Sequence, residues 1–181
     1  APHHYVLNEL AGIAHVVPDY AKLIAIGASG IAKEARAAQQ MHRLASEEWA
    51  FLEGVGIVAD ALAHFGERYA DAAERLAARE VDAQRRAELC LVAATCRRVP
   101  RFGARSFVEA LQSITFAQIA LNLESLDNGI SPGRLDQLLL PYYLRYRARG
   151  VLDREGAKEW LAAFAIKPCE VVPVFSATAT R

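Results

Sequence analysis

The chain has 181 residues, enough for one domain with a real core, and its 21 basic and 21 acidic side chains cancel. That balance excludes the basic field on which nucleic-acid binding depends. The apolar runs are broken by charge or glycine well before the ~18 residues a membrane helix requires.

The ends are unusual: the chain opens APHHYVLNEL, without a methionine, and closes VVPVFSATATR. A cut or processed polypeptide and a tag remnant with a loose polar tail both fit. His15 lies in the apolar run GIAHVVPDY, just before a Pro-Asp turn. A satisfied core histidine and a ligand are both open for it. From Ser46 to about Arg79 the residues Phe51, Val55, Val58, Leu62, Phe65, Tyr69, Ala72 and Leu76 recur in steps of four and three. This spacing predicts one long helix with those residues as its buried stripe and Ser46 as its N-cap. A second helix is expected from about Asp82, with Leu89, Val92, Cys96 and Val99 on one face, ending before Pro100. The third opens on Ser106 and Glu109, the spacing of a capping box, and buries Phe107, Ala110, Ile114, Ala117 and Leu121. Its period runs on to Glu124, a carboxylate on an apolar face at the unfavourable end of the helix dipole. Glu124 hints at a built site, and a local arginine partner would account for it equally.

A polar elbow follows. Asn128-Gly129 is a strong turn pair, and Ser131 reads as an N-cap with Pro132 at the first helical position. The helix so begun carries Leu135, Leu138 and Leu139 and is expected to stop or kink at Pro141. Asp153 caps a last helix through Trp160, Leu161 and Phe164. EVVPVF is the late strand candidate.

Chemical signals are sparse. Cys90, Cys96 and Cys169 make an odd count with no Cys-x-x-Cys spacing, which favours a reducing, cytoplasmic setting. Cys90 and Cys96 fall on or beside a buried helix face, and Cys169 has no base nearby to make it a nucleophile. His64 and Glu67 are spaced as metal ligands without a matching pair on another helix, and no zinc spacing, phosphate loop or Gly-x-Ser-x-Gly occurs. Spacing alone names no activity.

Three stretches, in this order, carry a resemblance: HVVPDYAKLIAIGASGI (15–31), the run from Glu67 to Ser113, and LESLDNGISPGRLDQLLLPYY (123–143). They are similar to the pyruvate formate-lyase domain of glycyl radical enzymes, most of all to the branch with glycerol and propanediol dehydratases and choline trimethylamine-lyase. The likeness covers about residues 13–167 and leaves 168–181 as a poorly matched tail. The whole chain, 1–181, is thus expected to be one partial domain. The resemblance implies a ten-stranded α/β barrel wrapped in helices, usually in a homodimer. The expected fold here is mainly α, a helical segment of that barrel with at most a few short strands.

The resemblance also implies a glycine radical that passes its spin to a cysteine, installed by an iron–sulfur activase that uses S-adenosylmethionine. The family's Gly-Cys-x-Glu-Pro loop and its Arg-Val-x-Gly-Tyr radical motif are absent from these residues. No catalytic residue, metal or cofactor is therefore assigned to this chain, which alone is expected to be inactive. Its expected partners are the remainder of the barrel or a second subunit, and the radical-activating enzyme, with no nucleic acid and no membrane. In the dehydratase branch a His-Ser pair before the Ser-Pro-Gly-Arg segment reaches the substrate's hydroxyls, and here Asn128 and Gly129 take those positions. That exchange removes an ionisable group and a hydroxyl, which argues against glycerol or propanediol as substrate. His15 falls near another histidine lining that pocket. The expected substrate contacts are thus His15, Glu124, Asn128 and Gly129, with Ser131, Pro132, Gly133, Arg134 and Asp136 as the structural motif. Arg134 and Asp136 are expected to pair or cap so as to fix the elbow. The competing expectation is an inactive, stand-alone helical module that binds a protein or a small polar ligand.

Overall fold

Alanine and leucine dominate the long segments, and where they recur with helical period the chain winds into helices that pack through them. The computed structural model describes residues 15–41, 45–124 and 129–170. In chain order these form β1 (His15–Val16), α1 (Tyr20–Met41), α2 (Ser46–Ala77), α3 (Ala83–Arg98), α4 (Phe107–Glu124), β2 (Gly129–Ile130), α5 (Leu135–Ala148), α6 (Arg154–Ile166) and a 3₁₀ turn at Lys167–Glu170. Mainly α with short strands is the class the sequence predicts. The strand candidate at residues 170–175 falls, beyond Glu170, outside the described residues.

Helix α2 has the expected length and a different buried face. Its buried positions are Gly56, Ala59, Ala63, Gly66, Ala70, Ala73 and Ala77, one step round from the predicted stripe. Small side chains let neighbouring helix axes approach closely, so the glycine–alanine seam becomes the contact face. The large stripe is covered only in part, at its middle, where half-buried Phe65 and largely exposed Tyr69 stack edge-to-face on Phe116 of α4 with centroids 5.7 and 5.4 Å away. Its ends face solvent: Phe51 is 71% exposed, Val58 64% and Leu76 58%. Ser46 is the first helical residue, not the cap. Ala45 holds the cap position, and its N–H donates to Glu48 Oε2 at 2.9 Å.

Helix α3 begins as predicted, with Asp82 accepting the Arg85 N–H at 2.7 Å. Leu89, Cys96 and Val99 are buried, whereas Val92 and Cys90 are exposed, which corrects the packing role expected of Cys90. The capping box of α4 is half formed. Ser106 Oγ accepts the Glu109 N–H at 3.0 Å, but the Glu109 carboxylate turns back to the N–H of Arg105 at 2.6 Å. The predicted residues Phe107, Ala110, Ile114 and Ala117 are buried, and so are Leu111, Ser113, Phe116 and Gln118. Helix α4 is therefore enclosed nearly all round and forms the axis of the core.

Helix α1 is broken at Gly27, whose φ of 70° and ψ of 172° suit glycine alone. The α3–α4 link enters the break. Ala28 and Ser29 donate to the carbonyls of Pro100 and Arg101 at 2.8 and 2.9 Å, and Ala104 donates to Ile24 O at 2.8 Å. A side chain at Gly27 would overlap the backbone of Arg101 and Phe102, and one at Gly103 the Ala25 carbonyl. Arg101 ties the same link to α2 through Glu67 at 2.8 Å, and that guanidinium, with His64 contributing less, holds the Glu67 carboxyl below the usual range.

Pro141 does not stop α5, which runs on to Ala148. Leu139 is in the core, with Leu138, Tyr142 and Tyr143 packed against it, and this packing holds the helix where the missing N–H would let it end. Asp153 caps α6 as predicted, accepting the Gly156 N–H at 2.7 Å, and Ala157 and Phe164 form its buried side.

Candidate functional site

Two of the sequence-predicted site residues, His15 and Gly129, meet where β1 pairs with β2. The two strands pair in parallel, with His15 opposite Gly129 and Val16 opposite Ile130. Ser131 N–H donates to Val16 O at 2.9 Å. The next β1 residue placed to donate to β2 would be Pro18, which has no N–H, so the ladder ends there. The chain then turns: Asp19 Oδ1 accepts the Lys22 N–H at 2.9 Å and starts α1. His15 and Gly129, far apart in sequence, thus become neighbours on one exposed edge. Asn128 lies outside the described residues. Glu124 is the last residue of α4 as its period predicts, and its side chain is likewise not described.

Beyond Ile130 the elbow departs from the sequence-based expectation. Ser131 and Pro132 do not cap a helix. They lie in an extended link, and α5 starts at Leu135 with Arg134 in the cap position. The reason is the ladder, which claims the Ser131 N–H and keeps that residue in line with β2. Ser131 Oγ instead accepts from Gly133 N–H at 3.3 Å. Gly133 has φ of +67°, and a Cβ there would come within 2.9 Å of Val17 Cγ1, so this glycine lets the elbow fold against the residue after β1. Arg134 and Asp136 do pair. The guanidinium donates from Nε to Oδ1 at 3.0 Å and from a terminal nitrogen to Oδ2 at 2.9 Å. The pairing holds the Asp136 carboxyl below its usual range and raises Arg134, with both side chains at the surface.

Two residues that sequence reasoning passed over stand behind the ladder. Gln118, on α4, is 6% exposed and donates from Nε2 to Ile130 O at 3.1 Å. Tyr20, the first residue of α1, is 2% exposed, and its hydroxyl makes no hydrogen bond among the described residues. Burial pushes that phenol up to about 12, and Gln118 offsets part of the push. The available signal for Gln118 was a polar residue flanked by apolar ones on a helix otherwise buried.

The remaining chemical candidates stay apart from this edge. Cys169 is exposed, and its thiol donates to Ala165 O at 3.6 Å. Burial pushes the Cys96 thiol up to about 11, which makes it a poor nucleophile. His64 meets Glu67 at 3.4 Å. Among the described residues no group of three or more His, Cys, Asp or Glu is placed to hold a metal, and no helix is long and apolar enough to cross a membrane.

This arrangement has counterparts. Residues 3–181 match the family model described as pyruvate formate lyase-like. The chain is 33% identical over 185 residues to the isethionate sulfite-lyase of Desulfovibrio desulfuricans, covering 94% of this chain and 22% of that enzyme. It is 37% identical over 117 residues to the trans-4-hydroxy-L-proline dehydratase of Clostridioides difficile, covering 64% of this chain and 15% of the relative. It superposes on the glycerol-bound B12-independent glycerol dehydratase of Clostridium butyricum with a TM-score of 0.85 at 33% identity, over 93% of this chain and 22% of that one. A glycyl radical enzyme from Archaeoglobus fulgidus gives a TM-score of 0.84 at 36% identity. The chain spans about a fifth of the length of these relatives. Its fold is that of a helical segment of their barrel. The chain belongs to the pyruvate formate lyase-like family, that of the glycyl radical enzymes.

Proposed function

We propose that these residues form part of the substrate-cavity wall of a glycyl radical dehydratase or lyase. The observation that carries this reading is the register of the ladder, which sets His15 opposite Gly129. Those are two of the positions that the resemblance marks for substrate contact. In the proposal His15 and Asn128 present polar groups to a small hydroxylated substrate, and Glu124 closes the end of α4. Gly129 leaves bare backbone where the dehydratase branch carries a hydroxyl. The Arg134–Asp136 pair and the Ser131–Gly133 link keep the elbow rigid behind them. Rigid placement is what a radical enzyme asks of its protein, since a reactive centre must meet one hydrogen atom and no solvent.

The radical chemistry belongs elsewhere in this proposal. With neither a Gly-Cys-x-Glu-Pro loop nor an Arg-Val-x-Gly-Tyr motif here, the cysteine and the radical-bearing glycine come from the remainder of the barrel. An S-adenosylmethionine iron–sulfur activase is the expected partner that installs the radical, in an oxygen-free cytoplasm. A stand-alone module would need the stripe from Phe51 to Leu76 to close on itself, and both ends of that stripe are exposed.

The test is anaerobic. The polypeptide carrying these residues, purified and treated with its activase and S-adenosylmethionine, should show a glycyl radical signal by electron paramagnetic resonance. His15→Ala should leave that signal intact and lower turnover at least tenfold. Absence of the radical, or full turnover by His15→Ala, would contradict the proposal.

A further inference from the structure

We infer that Gln118 is a positioning residue: its buried carboxamide fixes the β2 side of the two-strand ladder, and so sets where Gly129 stands relative to His15. The inference deepens the pocket assignment above and rests on it for its functional meaning.

Strands of two residues cannot hold their own register. On the β1 side, β2 is held by the ladder, whose last bond is Ser131 N–H to Val16 O at 2.9 Å before Pro18 ends it. In a parallel pair, alternate residues turn their polar groups to opposite sides, so the Ile130 carbonyl faces away from β1. Among the described residues it finds no strand there. Gln118 Nε2 donates to it at 3.1 Å in the place where a further strand would pair. The donor is firmly held, because Gln118 is buried on α4 between the core residues Ala117 and Ile114 and the elbow.

Gln118 also bears on the other strand. Tyr20 opens the helix that follows β1, and its hydroxyl is buried without a hydrogen bond among the described residues. Gln118 lies close enough to influence that phenol. One carboxamide therefore meets the carbonyl of β2 and lies beside the first helical residue after β1. A second tie converges on the same frame: Ile24 O, in the first half of α1, accepts from Ala104 N–H at 2.8 Å and from the Tyr142 hydroxyl of α5 at 3.4 Å. The helices leaving β1 and the elbow are thus joined away from the edge, and at the edge Gln118 holds β2 to α4.

The chemistry of the amide supplies the test. Leucine matches glutamine in bulk and cannot donate. A glutamate carboxylate cannot donate either, but its protonated form can. Hydrogen exchange of the chain should show the Ser131 amide exchanging at least about tenfold faster in Gln118→Leu, the loss of roughly one hydrogen bond, with amides of α2 and α3 unchanged. In Gln118→Glu the same loss should appear at neutral pH and disappear, relative to the parent at the same pH, as the carboxyl protonates. A packing role would not produce that pH-dependent rescue. Parent-like protection of Ser131 in both variants at all pH values would overturn the inference, as would a loss spread evenly over all helices without rescue. If the rescue occurs but His15→Ala leaves turnover untouched, the pocket assignment fails and the latch stands. If His15→Ala lowers turnover and the rescue is absent, the latch alone is lost.

Discussion

Tyr20 and Gly27 are both buried in the first half of α1, and each has a measurable consequence. The Tyr20 phenol holds its proton up to about pH 12 when folded, against an ordinary value near 10. Between those values the folded chain binds a proton that the unfolded chain has released, so stability falls as pH rises through that window. Cys96 adds a similar loss between its ordinary value of 9 and about 11. Tyr20→Phe should therefore flatten the fall in melting temperature between pH 10 and 12 without abolishing it, as thermal melts across that range would show. An unchanged slope would mean the hydroxyl is not buried. At Gly27, φ and ψ lie in a region that is essentially glycine's, and a Cβ would strike the Arg101–Phe102 backbone. Gly27→Ala should cost about 3 kcal/mol in chemical denaturation, from strain and from the lost docking of the α3–α4 link. Neither role is legible in the sequence, because each depends on backbone that arrives from a distant segment.

The elements show a more even balance. The helix start near Asp82 and the cap at Asp153 follow from local spacing and formed, whereas the caps expected at Ser46 and Ser131 did not, with Ala45 and Arg134 in the cap positions instead. Asp153→Ala should cost about 1 kcal/mol in an equilibrium melt, and a cost near zero would show that α6 is held by packing alone. The register of α2 could not be read in the same way. Its large apolar residues gave the right period, yet the neighbours chose the small-residue face because it permits a closer approach. The large stripe still contributes at its centre, where Phe116 sits among Phe65 and Tyr69. Phe116→Ala should cost about 3 to 5 kcal/mol, and a loss below 1 would show that this cluster is not part of the core. The elbow is mixed. Its Arg134–Asp136 pair was legible; of the expected turn pair, Asn128 lies outside the described residues and Gly129 opens β2, and the ladder that keeps Ser131 out of the helix was not legible, since β1 comes from the other end of the described chain.

At the scale of the whole molecule, α4 is enclosed while the ends of the α2 stripe, with Phe51 and Leu76, meet solvent. Large apolar side chains exposed along one helix mark a surface that packs against something else. That agrees with a chain spanning about a fifth of its relatives' length. Family membership was legible because three motifs keep their order and spacing. Of the residues at this edge, the sequence singled out His15 and Gly129, which the ladder sets opposite each other, and passed over Gln118 and Tyr20 behind them. The central claim is that these residues are a wall of a larger radical enzyme. The intact mass of the native polypeptide, identified with an antibody against residues 121–143, tests it most directly. A mass about five times the 19.8 kDa of this chain is expected. A native mass of 19.8 kDa, with no second polypeptide bound, would contradict it.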